Sequence, residues 1–184
     1  SSLDNPSLDY LADDNPVYDS RNNCNAILHT ELKMLVAACH TTVILDVLEI
    51  IGDNAFQGVY PFQELVLPHN VKCIGRSAFG DNPSLQRVVI PENTELIGPY
   101  AFSHCTALSD IILPHKYIEI SEDAFSDTAC INSQSPGAAY VGNHLCCYTP
   151  YTEDGTEPDC VIPEGIEYID AGIFHFAPPM RIFF

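Results

Sequence analysis

Basic side chains are the scarcest resource in this chain. Seven Lys and Arg stand against 25 Asp and Glu, which leaves 184 residues with a formal charge of −18. Such a surface repels phosphate backbones, so nucleic acid is excluded as a partner, and an anionic membrane surface is disfavoured for the same reason. Tryptophan is absent and methionine occurs twice. No apolar run approaches the ~18 residues that would span a bilayer, so membrane insertion is not expected. The chain starts Ser1-Ser2-Leu3-Asp4 without a basic-then-apolar segment, so a secretory signal is absent or already removed. Catalytic signatures are missing as well: there is no G-x-S-x-G, no phosphate-binding loop, no H-E-x-x-H and no Asp-x-Asp-x-Asp-Gly calcium loop. The acids Glu153, Asp154, Glu157 and Asp159 read as an exposed loop. No cofactor or resident metal is expected, and an enzyme, which would have to use a ladder of histidines and acids, is the least favoured reading.

What the chain has instead is repetition. Ala55-Phe56, Ala78-Phe79, Ala101-Phe102 and Ala124-Phe125 recur every 23 residues, and so do Ile51, Ile74, Ile97 and Ile120. Pro68, Pro91 and Pro114 keep the same interval, with Leu45 in the proline slot of the first copy. After a break, Pro163, Ile169 and Phe174 repeat the offsets. A constant period over many positions means stacked coils, each burying its apolar face against the next. Upstream of each proline lies an L-x-x-L-x-L segment: Phe62 to Leu67, Leu85 to Ile90 and Leu108 to Leu113. These read as strands with the leucine slots inward and the intervening residues outward. The Phe of each Ala-Phe pair is expected at the centre of its coil, giving a ladder of stacked rings.

The phrase L-x-x-V-x-I-P-x-x-x-x-x-I-G-x-x-A-F resembles the BspA-like, or Treponema pallidum-type, leucine-rich repeat over residues 42–126 and 160–175. Asn15 to Ser20 and Cys24 to Ile27 also resemble the start of bacterial members. The resemblance implies a right-handed solenoid on a secreted or cell-surface bacterial protein, of a kind linked to adhesion and protein binding. This chain departs from the pattern at Leu45 for Pro, Ser121 for Gly and Ile173 for Ala. The expected fold is therefore an α/β-type repeat solenoid, mostly β, forming one domain over 1–184. Residues 1–40 would be an N-terminal cap, 41–126 the repeats, 127–159 an insert with a hairpin, and 160–184 the last repeat and a C-terminal cap.

Three further features carry expectations. In the cap, two short strands flank Thr30 to Lys33. A turn at Glu31-Leu32 sets Cys24 opposite Cys39, either as a disulfide or as two thiols in a capping hairpin. In the insert, Gly142-Asn143 between apolar residues is a two-residue hairpin turn that pairs Tyr140 with Leu145. After the prolines, Asp46, His69, Glu92 and His115 alternate up one edge, about 4.8 Å apart. A metal or proton-relay ladder is one reading of them and a solvated row the other, since a straight row does not close a tetrahedron around a metal.

The expected binding surface is the outer side of the strand layer. Val43, Val66, Val89 and Ile112 form a β-branched stripe there, beside Glu64, Arg87 and Asp110. An apolar centre with a charged rim suits a protein or glycan ligand held by a monomer. β-Branched residues also favour strands whatever their partners, so a structural spacer without its own ligand is the alternative.

Overall fold

The structure is a computed structural model that describes residues 17–19, 25–121, 123–134, 138–148, 160–169 and 182–183. Cys24, Phe174 and the whole acidic loop 149–159 lie outside the described residues.

Every 23 residues the chain closes one coil and lays down two short strands. The L-x-x-L-x-L segments give Glu64–Val66, Arg87–Val89 and Asp110–Ile112, a parallel three-stranded sheet. Its register is set by the period: Leu65 pairs with Val88 and Val88 with Ile111. The piece after each proline gives Ile50–Ile51, Cys73–Ile74, Leu96–Ile97 and Glu119–Ile120, also parallel and in register. This second sheet is the larger, with seven strands, because the N-terminal cap extends it. The cap is the expected hairpin, Ala26–His29 against Met34–Ala38, and Met34–Leu35 continues in parallel onto Ile50–Ile51. Tyr18–Asp19 adds an antiparallel edge.

The Ala-Phe corner is the third side of each coil. Here, too, rungs are bonded to one another: Phe56, Phe79 and Phe102 each donate a backbone N–H to the alanine carbonyl of the next rung, at 2.7–2.8 Å. The corner needs two left-handed residues per coil. Asn54, Ser77, Tyr100 and Asp123 have φ between 49° and 59°, and Gly58, Asp81, His104 and Asp127 between 56° and 66°. Asn, Asp and Gly tolerate this conformation; Ser, Tyr and His hold it because the ladder on both sides fixes the backbone. Just before the corner, a Cβ on Gly75 would lie 2.8 Å from Gly52 C and one on Gly98 3.0 Å from Gly75 C. Glycine is required there by the close approach of neighbouring rungs.

The expected ring ladder runs through the centre. Phe56, Phe79, Phe102 and Phe125 stack at 5.0, 5.4 and 5.5 Å between centroids, with interplanar angles of 9°, 6° and 10°. None is more than 3% exposed. Around them pack Leu65, Leu85, Val88, Leu108, Ile51, Ile74 and Ile97, all buried.

Phe62 does not take the inward position of its slot; it is 53% exposed, where Leu85 and Leu108 are buried. The half-buried Tyr60 packs against the core instead, edge-on to Phe56 and Phe79 at 5.7 and 5.9 Å, and Phe62 leans on the outside of the Tyr60 ring. Val43 also departs from expectation, because its segment joins no strand. Thr42, in the slot that Leu65 fills one coil later, donates its hydroxyl to the Asn25 carbonyl and accepts the Cys39 N–H, which ties this segment to the cap.

At the far end, Ala138–Val141 and His144–Tyr148 form the insert hairpin, and Tyr140 pairs with Leu145. Only Gly142 of the turn is left-handed, at φ 57°. His144–Leu145 then pairs in parallel with Tyr168–Ile169, so the hairpin's second strand fills a rung of its own. One turn of helix, Ala129–Asn132, capped by Thr128, precedes it. Ile182–Phe183 pairs in parallel with Cys160–Val161.

Candidate binding surfaces

The three-stranded sheet holds its outward side chains rigidly, because each strand's backbone is bonded to the next in register. Alternation along the strand sends Leu65 and Val88 inward and their neighbours outward. Val66, Val89 and Ile112 therefore stand in one row across three rungs. Val66 is 62% and Ile112 38% exposed, with Val89 half-buried between them. The parallel row is Glu64, Arg87 and Asp110. Arg87 Nε meets Glu64 Oε1 at 3.0 Å, and its other arm binds the Asp110 carboxylate. The charged row is thus self-paired across all three strands. Val43 is 58% exposed but stands off the sheet, so the stripe has three members and not four.

Asp46, His69, Glu92 and His115 are all exposed. The neighbouring slot does the tying at this edge: Asn70 Nδ2 donates to the Asp46 carbonyl at 2.6 Å, and Asn93 Nδ2 to the His69 carbonyl at 2.8 Å. Among the described residues, no group of three or more His, Cys, Asp or Glu is arranged to hold a metal. In the cap, the hairpin register slips by one residue at Ile27/Leu28. Cys39 is a free thiol that donates to the Asn25 carbonyl at 3.4 Å. Its partner in the expected bridge, Cys24, is outside the described residues.

Two sets of polar contacts escaped the sequence reading, although Asn82, Cys105 and Thr128, and the Glu49–Lys72 pair, follow the period. Asn82, Cys105 and Thr128 share one interior slot. Asn82, 1% exposed, donates from Nδ2 to the Phe56, Phe79 and Gly80 carbonyls and accepts the Tyr60 N–H on Oδ1. Cys105 donates to the Phe79 carbonyl, and burial pushes its thiol up to about 11. On the second sheet, Glu49 bridges Lys33 and Lys72. Hydrogen bonds from the two ammonium groups, Lys33 first, hold the Glu49 carboxyl down to about 2.

Residues 37–141, more than half of the chain, match the family described as BspA type leucine-rich repeat region, in six copies. Among solved structures, the chain is similar to the leucine-rich repeat protein of T. pallidum, with 20% identity and a TM-score of 0.45. That match covers 85% of this chain and 62% of the other, so the chain spans less than two thirds of that protein's length. No curated protein matches. Among the described residues, no helix is long and apolar enough to cross a membrane.

Proposed function

The chain belongs to the BspA-type leucine-rich repeat family, and from that premise we propose that it is a non-catalytic module that binds a protein or glycan ligand through its three-stranded sheet. The family and fold are those of a repeat protein-interaction module. The finer reading places it on a secreted or surface-exposed bacterial protein with an adhesin-like role, acting as a monomeric single domain. One observation carries the choice of surface. Val66 and Ile112 are large apolar side chains standing exposed, in register, on a backbone that cannot rearrange. Rigid presentation lowers the ordering cost of binding. Because Glu64 and Asp110 are both paired to Arg87, the apolar row supplies affinity and the charged row sets the rim.

The same self-pairing favours the second reading, a structural spacer, since charges satisfied internally need no partner. One experiment separates the two. The purified chain is presented to an array of extracellular proteins and glycans, alongside Val66→Asp/Ile112→Asp. Capture by the parent and not by the variant, at equal cooperativity of unfolding, supports the binding face. Capture by both places the site elsewhere, and capture by neither leaves the spacer.

A further inference from the structure

The second sheet carries a groove that the strand-face reading does not use. It has a volume of about 560 Å³, and its apolar lining is Met34, Val36, Ile50, Cys73, Leu96 and Pro99. Gly52, Gly75 and Gly98 line it as well, where neighbouring rungs approach too closely to admit a Cβ. The groove crosses four consecutive strands, so it is about 14 Å long from three inter-strand steps of ~4.8 Å.

Its polarity is confined to one place. The two charged residues of the lining are Asp53 and Arg76. Asp53 Oδ1 accepts the Arg76 backbone N–H at 2.8 Å. The Arg76 guanidinium lies 5.5 Å over the Tyr100 ring. Lys33, Lys72 and Arg87 are each paired with a carboxylate, whereas Arg76, like Lys116 outside the groove, is in no ion pair among the described residues. Asp53 spends its carboxylate on the main chain, so in a chain with 25 acids and seven basic side chains an exposed guanidinium without an ion pair, beside an apolar channel, is matched to an anion brought from outside.

The body of that ligand follows from the floor. The groove's main chain is already bonded from rung to rung: Gly52 N–H to Leu35 O, Gly75 N–H to Ile51 O and Gly98 N–H to Ile74 O. A peptide laid here would bury amides with nothing to bond them. An extended peptide also repeats its side chains on one face every ~6.8 Å, out of step with rungs at ~4.8 Å. A methylene chain has neither difficulty. We infer that this groove binds a single-chain amphiphile, its apolar chain lying across the four strands and its one anionic head at Arg76. This surface is independent of the strand face, so either assignment can fail without the other.

The test uses the full chain and the probes decanoate and uncharged decanol, each below its aggregation concentration. Calorimetry should show one decanoate per chain. Arg76→Gln should weaken decanoate about fivefold, as an exposed ion pair would, and leave decanol unchanged. Bound decanoate should also slow alkylation of Cys73 in the groove and leave Cys39, in the cap, unaffected. That readout needs no substitution and so does not depend on a variant folding. The proposal is overturned by the absence of both heat and Cys73 protection. It is overturned equally if Arg76→Gln binds decanoate as tightly as the parent. Capture of an apolar blocked peptide in place of decanoate would refute the choice of occupant.

Discussion

Removing one ring from the middle of the spine should be among the costliest single changes in the protein. Phe79 is fully buried and lies face to face with Phe56 at 5.0 Å and Phe102 at 5.4 Å, with the Tyr60 edge at 5.9 Å. Truncating a buried Phe to Ala costs about 3–5 kcal/mol, and each aromatic pair adds about 0.5–1.5 kcal/mol beyond its buried area. Phe79 loses three such contacts, which puts Phe79→Ala at about 5 kcal/mol. Phe125 ends the described ladder with one stacked neighbour, Phe102 at 5.5 Å, and Phe125→Ala belongs near 3 kcal/mol. At roughly 2–4 °C per kcal/mol for a chain of this size, Phe79→Ala should melt on the order of 10–20 °C below the parent. Urea unfolding followed by circular dichroism gives both free energies. If Phe79→Ala costs under ~2 kcal/mol, or no more than Phe125→Ala, the rings are not the shared core that their stacking implies.

Other perturbations test other parts of the coil. Asn82→Leu strips buried carbonyls of their donor and the Tyr60 N–H of its acceptor. It should cost about 3 kcal/mol by thermal unfolding, and Asn82→Cys, copying Cys105, should cost less. Gly75→Ala forces a Cβ to within 2.8 Å of the Asp53 and Gly52 backbone and should destabilise by about 2 kcal/mol. Gly80→Ala, whose nearest contact is an ordinary 3.5 Å, should be close to neutral in the same assay. The Glu49 carboxyl titrates near 2 in place of its ordinary 4.5. A depressed carboxyl stabilises the fold above its unfolded value, and that contribution fades as pH falls from there toward 2. NMR titration should find the low midpoint, and Lys33→Ala should raise it. Among the thiols, burial of Cys105 raises its value to about 11. Burial of Cys39 pushes the other way from hydrogen bonds of Thr41 and Thr42, and the hydrogen bonds leave it below its ordinary value. Iodoacetamide at pH 8 with mass-spectrometric readout should therefore label Cys39 before Cys105.

The period was the legible part, and whatever the period dictates was legible with it: the in-phase strands, the stacked Phe56 to Phe125 and the second strand at Ile51, Ile74 and Ile97. Tyr140 facing Leu145 was legible too, because a two-residue turn fixes its own register. The departures come from contacts that cross between a repeat and a non-repeat. Val43 follows the pattern perfectly, yet Thr42 beside it bonds to Asn25 in the cap and pulls the segment off the sheet. Phe62 fits an inward slot that Tyr60, two residues earlier, fills first. The Asn82, Cys105 and Thr128 column kept the interval but changed residue type each time, so an apolar template passed over it. Asn70 and Asn93, which tie the rungs at the proline edge, stand beside histidines and acids whose alternating charge is the stronger pattern in the sequence. Ile50, Cys73 and Leu96 also keep the period, but their half-buried outer sides form one groove only once the rungs are stacked.

A macromolecular partner is expected to meet the Val66, Val89 and Ile112 row. A photo-crosslinking residue placed at Val89, and in a second protein at exposed Glu119 on the other sheet, tests it in a single irradiation with the captured partner. A covalent adduct should form from position 89 and none from position 119. An adduct from 119 alone would contradict it.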